Sequence, residues 1–308
     1  VRVAVLGAGA MGCLYGAALH RGGADVMFVD VNAEHITAIN ANGLELERRS
    51  GTEQLPIPAV RPEDLQGPLD LVLVFTKTFM TDTALTGIAH AIGPDTRLLT
   101  LQNGLGNEQR LAAHADEARV LVGVSSLPSD LVGPGRVRSH GEGGTKLYTA
   151  FPSGDPAFAE EVAALLTKGD LAAIADPKIY EAVWSKAIFN ATMNPLCALT
   201  LRTPGFLGAH EESRAMIRAA VDEGIAAAHA NGVMVNGQAI HDLTHVSVTD
   251  HADHEASMLQ DVKAGRRTEV DAINGAIVTA AKAKGVATPL LETFWRFVKL
   301  EESKLAGE

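Results

Sequence analysis

Cysteine is nearly absent from this chain of 308 residues: only Cys13 and Cys197 occur, and they form no close pair. A disulfide framework is therefore not expected, and a reducing cytosol is the natural compartment. Each cysteine sits among apolar or small residues and reads as a small buried hydrophobe. Positive charge is also in deficit. Against 37 Asp and Glu stand 26 Lys and Arg, a formal net charge of -11. That balance argues against nucleic acid or an anionic membrane as the main partner, while leaving room for a locally basic pocket that takes a small anion. No apolar run approaches the roughly 20 residues that span a bilayer. Residues 1–6 have the length of one strand and no small-residue cleavage site, so a signal peptide is not expected, and the expected location is cytoplasmic. Internal repeats and low-complexity tracts are missing too.

What is present is an alternation. Short apolar runs at 1–6, 25–29, 69–75, 97–101 and 120–124 read as buried parallel strands. Helical patterns at 11–21, 33–40, 81–92 and 107–115 lie between them. This is the pattern of an α/β, doubly wound, Rossmann-type domain. Alternating stretches at 136–139 and 145–149 read as late antiparallel strands closing the same domain, followed by a helix at 157–166. Strand signals then stop. Long helical patterns follow at 178–199, 211–231, 256–284 and 289–305. The break falls within 168–176, which gives a dinucleotide-binding domain over 1–170 and an all-α substrate and catalytic domain over 171–308.

The first strand runs into Gly7-Ala8-Gly9-Ala10-Met11-Gly12, which opens a helix. The first glycine permits a tight turn, the second lets a pyrophosphate approach the backbone, and the third allows close helix–strand packing. Free N–H groups and the positive end of the helix dipole face the phosphates. The plain alternative is an ordinary turn, but strand–turn–helix context favours a dinucleotide. Asp30 ends the second strand, where an acid accepts from adenosine ribose hydroxyls and repels a 2′-phosphate. Asn32 is the better placed cap of the next helix, which leaves the acid for the ribose. NAD(H) is favoured, with NADP(H) as the alternative. Arg48 and Arg49 read as solvated surface charge.

Lys77 and Asn103 each follow the C-terminal end of a central strand, where open α/β sheets bind ligands. In the helical half, Lys186, Asn190 and Asn194 recur at intervals of four and so share one helix face. Their apolar neighbours Ile188, Phe189 and Met193 imply burial, and lysine and asparagine are seldom buried without partners or a task. The alternatives are a snorkelling lysine, and asparagines that satisfy backbone groups freed by Pro195.

Together with Lys77, Gln102-Asn103-Gly104, Ser257-Met258-Leu259-Gln260-Asp261, Thr268-Glu269 and Asn274-Gly275, these motifs make the chain resemble the ketopantoate reductase (2-dehydropantoate 2-reductase) family over essentially its whole length. The resemblance implies hydride transfer from a nicotinamide to the ketone of a 2-oxo acid, here ketopantoate giving pantoate. It makes Lys186 the general acid and Glu269 the essential carboxylate. Asn190, Asn194 and Ser257 would hold the substrate, and Lys77 and Asn103 would lie at the cofactor–substrate junction. An ammonium near the ketone stabilises charge growing on oxygen and can deliver the proton, and burial would lower its pKa toward the working range. Glu269 also has a plain ion-pair alternative with Arg266 or Arg267.

Two positions depart from the family. Asp30 stands where members using NADPH usually carry a basic or neutral residue, and His254 stands where asparagine is frequent among the substrate-contacting residues. Both feed a second reading, an NAD-dependent D-2-hydroxyacid dehydrogenase of the same superfamily acting on a branched or aromatic 2-oxo acid. A non-catalytic nucleotide sensor would not need Lys186 and Glu269, and the β-hydroxyacid dehydrogenases usually space lysine and asparagine by three. His241 and His245 have metal-ligand spacing, but a polar helix connection is favoured and the chemistry requires no metal. Apolar stripes on the C-terminal helices suit a core or a homodimer interface equally well.

Overall fold

The computed structural model describes residues 1–139 and 143–304. The chain divides into two compact units, one of Val1–Gln102 with Asn107–Ile179, the other of Asn103–Gly106 with the chain from Tyr180 onward.

In the first unit the elements run β1 (Arg2–Leu6), α1 (Ala10–Gly22), β2 (Asp25–Val29), α2 (Ala33–Asn42), β3 (Leu44–Arg48), β4 (Gly51–Leu55), β5 (Ala59–Val60), β6 (Leu71–Val74) and α3 (Thr81–Gly87). They continue with β7 (Arg97–Thr100), α4 (Asn107–Ala112), β8 (Val120–Ser125), β9 (Ser129–Gly133), β10 (Arg136–Ser139), β11 (Thr145–Thr149), α5 (Pro156–Lys168) and β12 (Ala173–Ala175). The main sheet has the order β12-β11-β8-β7-β6-β1-β2-β5. β1 pairs in parallel with both β2 and β6, so the strand order reverses direction at β1. Fully buried runs such as Leu71–Val74 are what a parallel sheet covered on both faces requires. The crevice at such a reversal is where open sheets of this kind take ligands.

Three expectations change. The stretch 136–139 is indeed a strand, but β10 belongs to a second sheet, order β4-β3-β10-β9, and runs parallel to β3. β11 is the late strand that joins the main sheet, antiparallel to β8. The expected segment between them crosses residues 140–142, which lie outside the described residues. The β3–β4 hairpin escapes a reading that looks for apolar runs. Its buried residues, Leu44 and Leu46, alternate with Glu45 and Glu47, which pair with Arg136 and Arg138 of β10. Arg48 is likewise no solvated charge: it bonds Asp170 at 2.8 Å and Glu53 at 3.2 Å, tying the hairpin to the end of α5. Finally, β12 pairs with β11, which carries the first unit past residue 170 to Ile179.

The second unit contains α6 (Ile179–Thr200), α7 (Pro204–Ala209), α8 (Glu211–Ala230), α9 (Gly237–Thr249), α10 (Ser257–Lys263), α11 (Ala276–Ala283) and α12 (Pro289–Ser303). The expected last residue of the final helix, 305, lies outside the described residues. The helix expected over 256–284 is broken. α10 stops at Lys263, Gly265 takes a positive φ of 62°, and Arg266 N–H returns to the Asp261 carbonyl at 2.8 Å. That is a glycine helix stop. Thr268 Oγ1 then accepts from Val270 N–H at 3.2 Å and starts a new helix. It opens with a π-helical turn over Asp271–Gly275 before α11. The polar connection expected around His241 and His245 is α9, capped by Asn236 and turning Ile240, Thr244 and Ser247 inward. His241 pairs with Asp222 of α8 at 2.9 Å.

Candidate active site

The glycine loop is built for close approach. Gly7 has a φ of 97°, and a side chain there would meet the backbone of Thr76 at 2.8 Å, at the end of β6. A Cβ on Gly12 would lie 2.0 Å from the Gly7 carbonyl oxygen, so only glycine lets α1 start this near the strand. At Gly9 the same test meets nothing within 4 Å, which leaves the backbone accessible at the second glycine. This cradle fits a pyrophosphate at a helix N-terminus. Asn32 caps α2 as expected, accepting from Glu34 N–H and His35 N–H. Asp30, however, is not left free. One carboxylate oxygen accepts from Ala8 N–H at 2.8 Å and the other from Asn32 N–H at 2.9 Å. Asp30 thus ties the end of β2 to the glycine loop, and its remaining lone pairs can still accept hydroxyl donors.

Lys77 follows β6 and begins a short 3₁₀ turn, Thr78–Met80. Gln102, one residue past the Leu101 that ends the β7 run, fastens this neighbour. Its Nε2 donates to the Thr76 carbonyl at 2.6 Å and to Thr81 Oγ1 at 2.9 Å, while its Oε1 accepts from Thr100 Oγ1 at 2.9 Å. The sequence motif contained Gln102 without a task for it; its work is to hold two adjacent strand ends in register.

The second unit gathers the other candidates. Lys186, Asn190 and Asn194 lie on α6, which is buried along most of its length. Burial pulls the Lys186 ammonium down from its ordinary 10.5 to about 8, opposed by the nearby Glu269 carboxylate. A lysine so placed carries a proton it can lose near neutral pH. Asn190 and Asn194 are buried, and Asn190 Nδ2 approaches Asn103 Oδ1 at 3.4 Å. The segment that carries Asn103 docks by its backbone, with Leu105 N–H donating to the Ala272 carbonyl at 3.0 Å. Gly104 takes a φ of 91° against that same carbonyl, where a Cβ would come within 2.2 Å.

Pro195 stands inside α6 and supplies no N–H to the carbonyl one turn back, at Ala191. The sequence left open whether Asn190 and Asn194 repair this. Asn274 does so instead, donating from Nδ2 to the Ala191 oxygen at 2.8 Å. Glu269, on its side, is flanked by Thr268, whose N–H and hydroxyl both reach Glu302 Oε1, at 2.8 and 2.6 Å. Ser257 opens α10 and His254 precedes it in a turn, its N–H donating to the His251 carbonyl at 3.0 Å. Both are exposed, and among the described residues neither hydrogen-bonds to α6. Asn274 and Glu302 are the structural partners that sequence reasoning missed; Pro195 inside a helical pattern was the one signal that a donor must come from elsewhere.

A glycine loop with room for a pyrophosphate, and elsewhere in the chain a lysine of lowered pKa, are compatible with an oxidoreductase that works on a carbonyl. Known proteins narrow that class. Residues 3–150 match the family described as ketopantoate reductase PanE/ApbA, and residues 178–302 match its C-terminal counterpart. A 2-dehydropantoate 2-reductase of Streptococcus pyogenes serotype M18 is 34% identical over 304 residues, 98% of each chain. The structure of D-mandelate dehydrogenase with NADH and anilino(oxo)acetate superposes with a TM-score of 0.93 at 30% identity, covering 99% of this chain and 100% of that one. A 2-dehydropantoate 2-reductase from Geobacter metallireducens superposes at 0.91 with 32% identity, over 97% and 99% of the two chains. The chain belongs to the ketopantoate reductase family, oxidoreductases that act on the CH–OH group of a 2-hydroxy acid. Among the described residues, no helix is long and apolar enough to cross a membrane.

Proposed function

We propose that this protein reduces the ketone of a 2-oxo acid, ketopantoate in the first instance, with NADH as the favoured reductant. The observation that carries the reading is Lys186, half-buried and held near a pKa of about 8 beside Glu269. When bound, a reduced nicotinamide supplies the hydride to the carbonyl carbon. As charge grows on the carbonyl oxygen, the Lys186 ammonium stabilises it by hydrogen bonding and transfers its proton there, leaving a neutral amine and a 2-hydroxy acid. Glu269 favours the protonated form of Lys186 that serves as acid, because its negative charge opposes the effect of burial. Asn190, Asn194, Ser257 and Asn103 supply amide and hydroxyl groups for the polar groups of the substrate. Gly7 through Gly12 cradle the pyrophosphate, Lys77 adds a cation beyond β6, and Asp30 favours ribose hydroxyls over a 2′-phosphate.

A second reading rests on two observations. The Asp30 carboxyl group is bonded to the glycine loop, and an exposed His254 precedes α10, where imidazole in place of an amide changes the size and charge available to a substrate. Both are compatible with an aromatic or branched 2-oxo acid, and the likeness to D-mandelate dehydrogenase supports this reading. Steady-state kinetics on ketopantoate, benzoylformate and branched 2-oxo acids, each with NADH and NADPH, separates the two. The first reading expects the highest kcat/KM on ketopantoate with NADH; inactivity on ketopantoate with turnover of benzoylformate selects the second.

A further inference from the structure

We propose that Asn274 is a positioning residue: by taking the carbonyl that Pro195 leaves without a partner, it fixes the Lys186-bearing helix to the turn that follows Glu269. The inference rests on the reading of Lys186 and Glu269 as the reacting pair.

The Ala191 carbonyl is one residue from Asn190 and five from Lys186, so whatever holds it holds the stretch of α6 between Lys186 and Pro195. Asn274 reaches it from a position 83 residues away and is fully buried, so water cannot substitute for the bond. The turn that carries Asn274 is π-helical, a wider geometry that costs regular helix bonding and recurs at functional sites. Here it leaves the Ala272 carbonyl to accept from Leu105 N–H, so the same turn grips both α6 and the segment bearing Asn103. The Glu269 carbonyl closes the turn from below, accepting from Ala272 N–H at 3.0 Å and Ile273 N–H at 3.1 Å. Movement of the turn therefore passes directly to the backbone of Glu269, whose other neighbour, Thr268, is pinned by Glu302. Asn274 also carries a cost. Its Oδ1 is buried without a hydrogen-bond partner, a penalty that an apolar side chain of similar shape would avoid. The bond to the Ala191 carbonyl serves stability, and the hold of the same turn on the Asn103 segment and on the Glu269 backbone adds the orientation of α6.

The test uses the full chain in four forms: wild type, Asn274→Leu, Pro195→Ala and the double variant. Alanine at 195 restores an N–H to α6, so the Ala191 carbonyl has a partner without Asn274, and the double variant folds even where the single one does not. The expected result is a kcat lower by on the order of 10- to 100-fold in Asn274→Leu, with KM for NADH unchanged. The double variant should regain the melting temperature of Pro195→Ala while its kcat stays low by the same factor relative to Pro195→Ala. A kcat that recovers along with the melting temperature, or one within twofold of its reference in both leucine variants, overturns the proposal. Lys186→Ala measured alongside keeps the two layers apart. Turnover surviving that change overturns the assignment of the site itself; turnover lost there but kept in the leucine variants overturns only the role of Asn274.

Discussion

Two irregular places carry the chemistry proposed for this chain, and they are built on opposite plans. At the glycine loop the backbone leaves β1 sharply, and its bonds are made by near neighbours in the fold: Gly7 N–H to the Val29 carbonyl, and Ala8 N–H to Asp30, 22 residues on. At α6 the irregularity is Pro195 inside a helix, and its repair comes from Asn274, 83 residues on. In the first place the working groups are main-chain amides, so the sequence must supply the absence of side chains. In the second they are side chains, and the sequence must supply distant partners to aim them. Damage to the first should appear in cofactor affinity and stability, damage to the second in the rate of the chemical step.

The sharpest way to break this division is Lys186→Ala. If the helical unit owns the proton transfer, kcat should fall by about 10²- to 10⁴-fold with little change in KM for NADH; a change confined to KM would make Lys186 a binding group. Wild-type pH behaviour gives a second check. Reduction needs the ammonium, so kcat should decline as pH rises through about 8. Stability should respond with the opposite sign. Between about 8 and the ordinary 10.5, the folded chain has released this proton while the unfolded chain still holds it, so unfolding becomes harder as pH rises across that window. A denaturant midpoint that followed activity downward there would refute the lowered pKa.

Gly12→Ala tests the other plan with a smaller effect. The new methyl would lie 2.0 Å from the Gly7 carbonyl oxygen, so the start of α1 must shift away from β1. Overpacking of this kind costs about 1–3 kcal/mol. The expected outcome is a lower melting temperature with a raised KM for NADH, and a kcat at saturating NADH close to wild type. A loss in kcat with KM unchanged would erase the contrast between the two regions.

The same contrast explains what could be read from sequence. The glycine loop and the parallel strands were legible because their determinants are contiguous: a buried run, then glycines, then a helix. The row at Lys186, Asn190 and Asn194 was legible because helical periodicity is local. The stop at Gly265 was missed because Arg266–Val270 keep helix-compatible composition, and a single glycine carries the break. The β3–β4 hairpin was missed because β3 takes its other partner from β10, some 90 residues on, and two of its five residues, Glu45 and Glu47, are charged partners of that strand. Asn274 could be seen as part of a motif, but not its acceptor, since no local rule names the carbonyl that a distant amide will meet.

Asp30 should give the smallest effect and tests whether its two duties can be separated. Its carboxylate both accepts from Ala8 and Asn32 and places a negative charge beside the glycine loop. Asp30→Asn keeps the size and one acceptor oxygen, removes the charge, and turns an NH₂ toward one of the two amide donors. Removing one unit charge near a partly exposed 2′-phosphate is worth about 1 kcal/mol, roughly a fivefold change in preference. The NADPH-to-NADH ratio of kcat/KM should therefore rise by about fivefold, with KM for NADH up a few-fold from the lost amide bond and kcat unaltered. An unchanged ratio together with a lower melting temperature would mean that Asp30 only fastens the loop, and that cofactor choice is made by another residue.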